Sequence, residues 1–315
     1  MDPYLKSSEQ RSKASSESEE MATEVVDPPK ILWHYTTASG LLGILREGAI
    51  RATGLSYLND ITEGKYLRGL MREPIEHLTS KDDLPGIEKL FESAYRRFGA
   101  ACFCPDGDLL SQWRGYSGGG GFAIGFKSQL LRQFWEGESW QGFLRPVEYS
   151  SSTSFLRAVV DAREVTEEYH RVFPGGINSL RKDKEGKRVI YESEFEDMKG
   201  DIAKLFQKIE YLAFNGALHK DEHFSEEREW RLLTFIDSKT QDDEFAPDVG
   251  VGRQGLTIYR RIAFQSSFES SPICEIRTGP GLDDESQVRA MEVLLDNLGY
   301  EGVRISASRV PLRIG

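Results

Sequence analysis

The sequence predicts an α+β fold with a helical insert, on three observations. Strand-like apolar runs lie at both ends of the chain, a mostly helical charged stretch covers about 153–218, and the glycine-rich segment 118–121 runs helix, Gly, strand. That last order is the reverse of a phosphate-binding strand-Gly-helix loop, and no Lys-Ser/Thr directly follows the glycines, so neither a P-loop nor a dinucleotide fingerprint is satisfied. The chain divides into a tail, residues 1–29, and one domain, 30–315, carrying the insert.

The tail contains Ser7, Ser8, Ser15, Ser16 and Ser18 with Glu17, Glu19 and Glu20, and ends at Pro28 and Pro29. Such a stretch has too little apolar surface to offset its ordering entropy and is expected to be disordered. A solubilising leader and a secretion or targeting segment are both compatible with this composition.

From Ile31 the pattern changes. Residues 31–33 read as a strand, His34-Tyr35-Thr36 as a polar turn, 38–47 as an amphipathic helix with Leu41, Ile44 and Leu45 on one side, Gly48 as its C-cap, and 49–52 as a second strand. Helices are expected over 63–78 and 87–98, a buried strand over 100–104, and a short helical turn over 109–116 with Ser111, Gln112, Trp113 and Arg114. Ser117 and the four glycines follow, then a strand over 122–126. Glycines there let backbone approach a ligand closely. In the second half, strands are expected at 227–233, 258–264, 273–278 and 303–305, with a helix over 284–298.

Composition narrows the function classes. With 51 Asp and Glu against 40 Lys and Arg, the net charge is -11, which speaks against gripping a long polyphosphate through bulk charge and leaves room for a local basic pocket. No apolar run approaches the roughly 20 residues needed to cross a bilayer. Three cysteines, Cys102, Cys104 and Cys274, make no disulfide framework, so a reducing cytoplasm is the expected location. Cys102 and Cys104 share a strand face but lack a second pair and read as small buried thiols. His219-x-x-Glu222-His223 matches an inverted zinc-peptidase pattern, yet it leads at once into a strand, so a polar loop is preferred and no metal is expected.

The segment Ile31-Leu32-Trp33-His34-Tyr35-Thr36, continuing through Gly43-Ile44-Leu45-Arg46-Glu47-Gly48, resembles the opening of the poly-ADP-ribose polymerase catalytic domain and of DNA-modifying bacterial ADP-ribosyltransferase toxins. With Tyr57-Leu58-Asn59-Asp60, Trp113-Arg114-x-Tyr116 and the segment 220–231, the chain is similar in order, over most of 31–312, to an uncharacterised bacterial domain family of that superfamily. The resemblance implies the superfamily's split mixed and antiparallel sheet core, NAD as substrate, no metal, and a protein or nucleic-acid acceptor. Its bearer would be a bacterial toxin, effector or defence protein. Tyr35 stands where the polymerases have Gly, and only its main chain offers the same groups.

Glu227-Arg228-Glu229 matches the spacing that many of these transferases carry before the catalytic strand; alternation would put both carboxylates on one face and Trp230 on the other. Cleaving nicotinamide from ribose passes through an oxocarbenium-like state that a carboxylate stabilises. By resemblance, Glu229 takes that role and binds the ribose 2'-hydroxyl, and Glu227 contacts or deprotonates the acceptor. His34 and Thr36 hold the adenosine side, Tyr57 or Tyr35 stacks on nicotinamide, Arg114 pairs with pyrophosphate, and the Ser117 loop lets NAD lie against backbone. An NAD glycohydrolase using the same site, or an inactive nucleotide- or protein-binding module, are the alternatives; a charged edge strand is the bland reading of 227–231.

Overall fold

The computed structural model describes residues 26–58, 72, 75–117, 121–136, 142–149, 151–174, 176, 192–236, 246–252, 255–264, 271–282 and 284–311. The expected helix at 63–78 falls largely outside these residues, as do 1–25 of the expected tail and Gly118 to Gly120. Residues Asp27 to Lys30 lie against the domain: Asp27 pairs with Arg132 at 3.2 Å, and the Ser128 amide donates to the Lys30 carbonyl at 3.2 Å.

Strand β1 (Ile31–Thr36) runs on through the three polar residues expected to form a turn. All six of its residues are in register with β4 (Phe122–Lys127), from Ile31 opposite Lys127 to Thr36 opposite Phe122. Cross-strand pairing and burial of Trp33 and Tyr35 outweigh local polarity. Helix α1 (Ala38–Glu47) starts where the Thr37 hydroxyl accepts from the Gly40 amide at 3.2 Å. It ends at Gly48, whose φ of 57° is the left-handed C-cap conformation that glycine adopts at little cost. Strand β2 (Ala49–Gly54) then turns back, followed by a 3₁₀ turn, Leu55–Tyr57.

Among the described residues the strands form two sheets. The four-stranded sheet has the order β1-β4-β9-β10, with β9 at Ile273–Thr278 and β10 at Arg304–Ala307. Its one parallel pair, β9 with β10, is joined by helix α7 (Asp284–Leu298), since a parallel neighbour needs a crossover. The six-stranded sheet has the order β5-β6-β3-β2-β8-β7 and is antiparallel throughout. Its strands are β3 (Phe98–Phe103), β5 (Phe143–Pro146), β6 (Trp230–Phe235), β7 (Asp248–Gly252) and β8 (Gly255–Ala263), besides β2.

Two cores use the two faces of the six-stranded sheet. On one face Ile50, Phe103, Leu232 and Ile262 meet Leu32, Phe126 and Ile276 of the other sheet, closed by Leu45 of α1 and Leu295 of α7. On the other face Phe98, Ala100 and Leu233 lie beneath α2 (Leu84–Tyr95) and the helices of the insert, α5 (Ser151–Val172) and α6 (Glu192–Gly216). Helix α3 (Leu110–Tyr116) follows β3, and α4 (Ser128–Glu136) follows β4.

The fold is therefore α+β, as the sequence predicts. Several local expectations need correction. Helix α2 stops at Tyr95, and Phe98 instead opens β3 opposite Phe235, because its ring is needed in the core beside Phe214. Strand β6 begins at Trp230, three residues later than the spacing predicts. Helix α4 and strands β5 and β7 are not predicted by the sequence pattern. No described helix is long and apolar enough to cross a membrane.

Leu232 is fully buried between the sheets, so Leu232→Ala should lower unfolding free energy by about 3 kcal/mol, the usual cost of a cavity left by a core leucine. Urea denaturation of the two proteins measures this, and a loss below about 1 kcal/mol would mean that the sheets are not tightly packed there.

Candidate active site

The two sheets are stitched together where β1 passes the end of β3. Trp33 and Cys104 exchange backbone hydrogen bonds of 2.7 and 2.8 Å. One residue on, His34 Nδ1 lies 2.9 Å from the Cys102 carbonyl. A carbonyl can only accept, so Nδ1 carries the proton and Nε2 is left as an acceptor. Burial pushes the His34 pKa below its ordinary value, against the smaller opposing effect of the Cys102 carbonyl, and the ring is neutral at pH 7.

The second wall comes from the segment after α6. Asp221 caps a 3₁₀ helix, Glu222–Glu227, through His223 N at 3.0 Å, and Arg228 then takes a left-handed conformation at φ 43° before β6 begins. Glu227 and Glu229 are thus not alternate residues of a strand, as the spacing suggests. They converge for another reason, a buried lysine. Lys220 Nζ lies 2.8 Å from Glu227 Oε2 and 3.2 Å from Glu229 Oε2. Arg231 clasps Glu229 with two bonds, Nε to Oε1 at 2.8 Å and Nη2 to Oε2 at 3.1 Å, while its Nη1 donates to the Ala217 carbonyl at 2.6 Å.

Lys220 and Arg231 are 2 % and 1 % exposed, so these cations require carboxylate partners, and two of each balance the charge. Burial would raise the Glu229 pKa, but Arg231 and then Lys220 overcome it and hold the carboxyl down at about 2. The Glu229 amide also donates to the Tyr149 hydroxyl at 2.8 Å, fixing the main chain at the carboxylate.

Helix α3 closes the site. Tyr35 packs edge-on against Trp113 with ring centres 4.7 Å apart; its hydroxyl donates to the Asp106 carbonyl at 2.8 Å and accepts from the Leu109 amide at 2.9 Å. Asp108 accepts from the Trp113 indole at 2.9 Å, from Arg309 N at 2.8 Å and from the Ser308 hydroxyl. These anchors turn Gln112 and Tyr116 toward the carboxylates. The resulting cleft, of about 320 Å³ including its mouth, is lined by Trp33, His34, Tyr35, Cys102, Phe103, Gln112, Tyr116, Glu227 and Glu229.

Four residues singled out from sequence therefore line one cleft: His34, Tyr35, Glu227 and Glu229. Thr36 lies at the far end of β1 on the same strand face as His34, outside the lining. Tyr57 is 43 % exposed after β2, and Arg114 is exposed on α3; neither lines the cleft. Ser117 is buried with its hydroxyl turned back to the Trp113 carbonyl. Sequence reasoning missed Lys220, Arg231, Gln112 and Tyr116 as site residues. The i, i+4 spacing of Gln112 and Tyr116 was the available signal for the last two, since it puts both on one helix face.

The His219-x-x-Glu222-His223 pattern does not form a metal site. His219 is buried with Nδ1 2.7 Å from the Asn215 carbonyl, whereas His223 is solvent-exposed and paired with Asp221. Among the described residues no cluster of His, Cys, Asp and Glu could hold a metal ion.

Residues 112–232 match a family model described as "Protein of unknown function (DUF2971)". The matched span includes Gln112, Tyr116, Lys220, Glu227, Glu229 and Arg231 and leaves out His34. No curated protein and no solved structure matches the chain.

The depressed Glu229 pKa carries a pH signature. Its folded value lies below the ordinary 4.5, so the stabilisation from its pairing is complete above pH 4.5 and fades as the pH falls toward about 2. The stability difference between the parent protein and Glu229→Gln should therefore shrink across that window in urea titrations; a constant difference would contradict the pairing described.

Proposed function

We propose that the protein is an ADP-ribosyltransferase, which breaks the bond between nicotinamide and ribose in NAD and passes ADP-ribose to a macromolecule, protein or nucleic acid. One observation carries the reading: His34 from the opening segment and the Glu227–Glu229 pair from the far half of the chain line the same cleft where the two sheets meet. That is the juxtaposition the sequence resemblance requires.

The side chains suit the chemistry. The Glu229 carboxylate is ionised and rigidly clasped, so it presents fixed negative charge to a developing cation without reorganising. Neutral His34 offers Nε2 to a sugar hydroxyl. Glu227 is the group positioned to take the acceptor's proton as its oxygen or nitrogen attacks the ribose carbon and the bonding pair leaves with nicotinamide. Lys220 sets a condition: its two carboxylate contacts keep Glu227 and Glu229 side by side, which like charge would otherwise oppose.

One feature favours hydrolysis as a second reading. Glu227 is only 9 % exposed, and water reaches a buried base more readily than a macromolecule does. Either acceptor shares the same first step.

Incubating the full chain with adenylate-labelled NAD and bacterial lysate separates the readings. Label on protein or nucleic acid supports the transferase, and free ADP-ribose supports the glycohydrolase. Glu229→Gln should lower nicotinamide release at least about a hundredfold, the scale lost with one key electrostatic group. Release of no nicotinamide by the folded parent protein would overturn the proposal. Expression in bacteria should slow growth, with relief by Glu229→Ala and by His34→Ala; equal growth at equal levels of soluble protein would count against a toxin.

A further inference from the structure

Most polar groups around the cleft are already engaged. The Tyr35 hydroxyl, both oxygens of Glu229 and the Lys220 ammonium all have protein partners. Gln112 differs. It is 7 % exposed and lines the cleft, yet its side-chain amide makes no hydrogen bond to a described residue. An amide that lines a cleft without a protein partner can pair with a polar group of a ligand there. Its backbone is held in place, because the next residue, Trp113, is fully buried and bonded to Asp108. Tyr116, one turn along the same helix face, also lines the cleft and makes no hydrogen bond to a described residue; its ring packs on the cluster of Trp33, Tyr35 and Trp113.

We propose that Gln112 is the specificity residue that reads the carboxamide of the nicotinamide ring, with the Tyr116 ring beside it as the apolar wall; this rests on the NAD-cleaving reading above. A glutamine amide offers one acceptor and two donors, and a primary carboxamide offers the same set reversed, so the two pair head to tail through two hydrogen bonds. A carboxylate in the same place has no donor for the glutamine oxygen, which is left unpaired. The site therefore selects nicotinamide over nicotinate. Glutamine pairs equally well with the adenine edge in general. Gln112 shares its cleft with Glu229, which the reading sets at the nicotinamide ribose, and this assigns it to the nicotinamide end.

The test is the binding of nicotinamide, nicotinic acid and adenosine to the full chain by calorimetry, alongside nicotinamide release from NAD. The proteins compared are the parent, Gln112→Met, which keeps the volume without the amide, and Gln112→Glu, which replaces a donor by charge. The parent should bind nicotinamide well above nicotinic acid. Both variants, folded by circular dichroism, should bind nicotinamide about ten- to a hundredfold more weakly, the loss expected for two hydrogen bonds, and KM for NAD should rise more than kcat falls. A parent that cleaves NAD while both variants keep its nicotinamide affinity would overturn the role of Gln112 alone. So would variants that lose adenosine binding instead. A parent that binds none of the three and releases no nicotinamide would remove the NAD reading and this assignment together.

Discussion

Arg231 sits on a central strand between two apolar cores, and a guanidinium so placed must be met by negative charge and by acceptors for its donors. Much of the local architecture answers that demand. Glu229 takes two of the donors, and the Ala217 carbonyl, freed at the end of α6, takes another. The left-handed Arg228 lies between Glu227 and Glu229, so the two carboxylates approach Lys220 from either side of a break in the chain rather than along one strand. Lys220 then supplies the second cation that allows Glu227 to lie against Glu229. Removing one member leaves a buried charge short of its counter-charge, so the four residues are energetically coupled. Such a unit gives the cleft a rigid charged wall, and the helical insert contributes by delivering the chain to Lys220.

How far the sequence announces this varies with the range of the forces involved. Helix α1 is readable because its determinants are local: Thr37 at one end, Gly48 at the other, and Leu41, Ile44 and Leu45 between. Strand β9 and helix α7 are readable on the same grounds. The polar triplet His34-Tyr35-Thr36 misleads, since its strand conformation is imposed by β4, far along the chain. Glu227 and Glu229 are found by their spacing, although the geometry that spacing suggests is not the one adopted; their proximity comes from a lysine whose burial no local pattern reveals. Gln112 is harder to find: its i, i+4 spacing with Tyr116 puts the two on one helix face, but nothing local in Ser111-Gln112-Trp113 says that this face turns inward.

The opposite wall of the cleft depends on aromatic packing. Trp113 is fully buried, and its contacts with Tyr35 and Asp108 make α3 an extension of the four-stranded sheet. The same Asp108 receives Ser308 and Arg309, so the segment after β10 fastens α3 from outside. Each wall thus belongs to a different sheet, and the seam at Trp33 and Cys104 sets their separation.

That fastening has a consequence for synthesis. Arg309 and Asp108 are 201 residues apart in sequence, Tyr300 and Leu45 are 255 apart, and Cys274 of β9 meets Gly125 of β4 across 149. At translation rates of about 5–20 residues per second, the N-terminal half emerges well before the strand and the strap that complete its sheet. Loop-closure cost further delays such distant pairings. The ribosome must therefore release nearly the entire domain before both walls of the cleft are fastened in place.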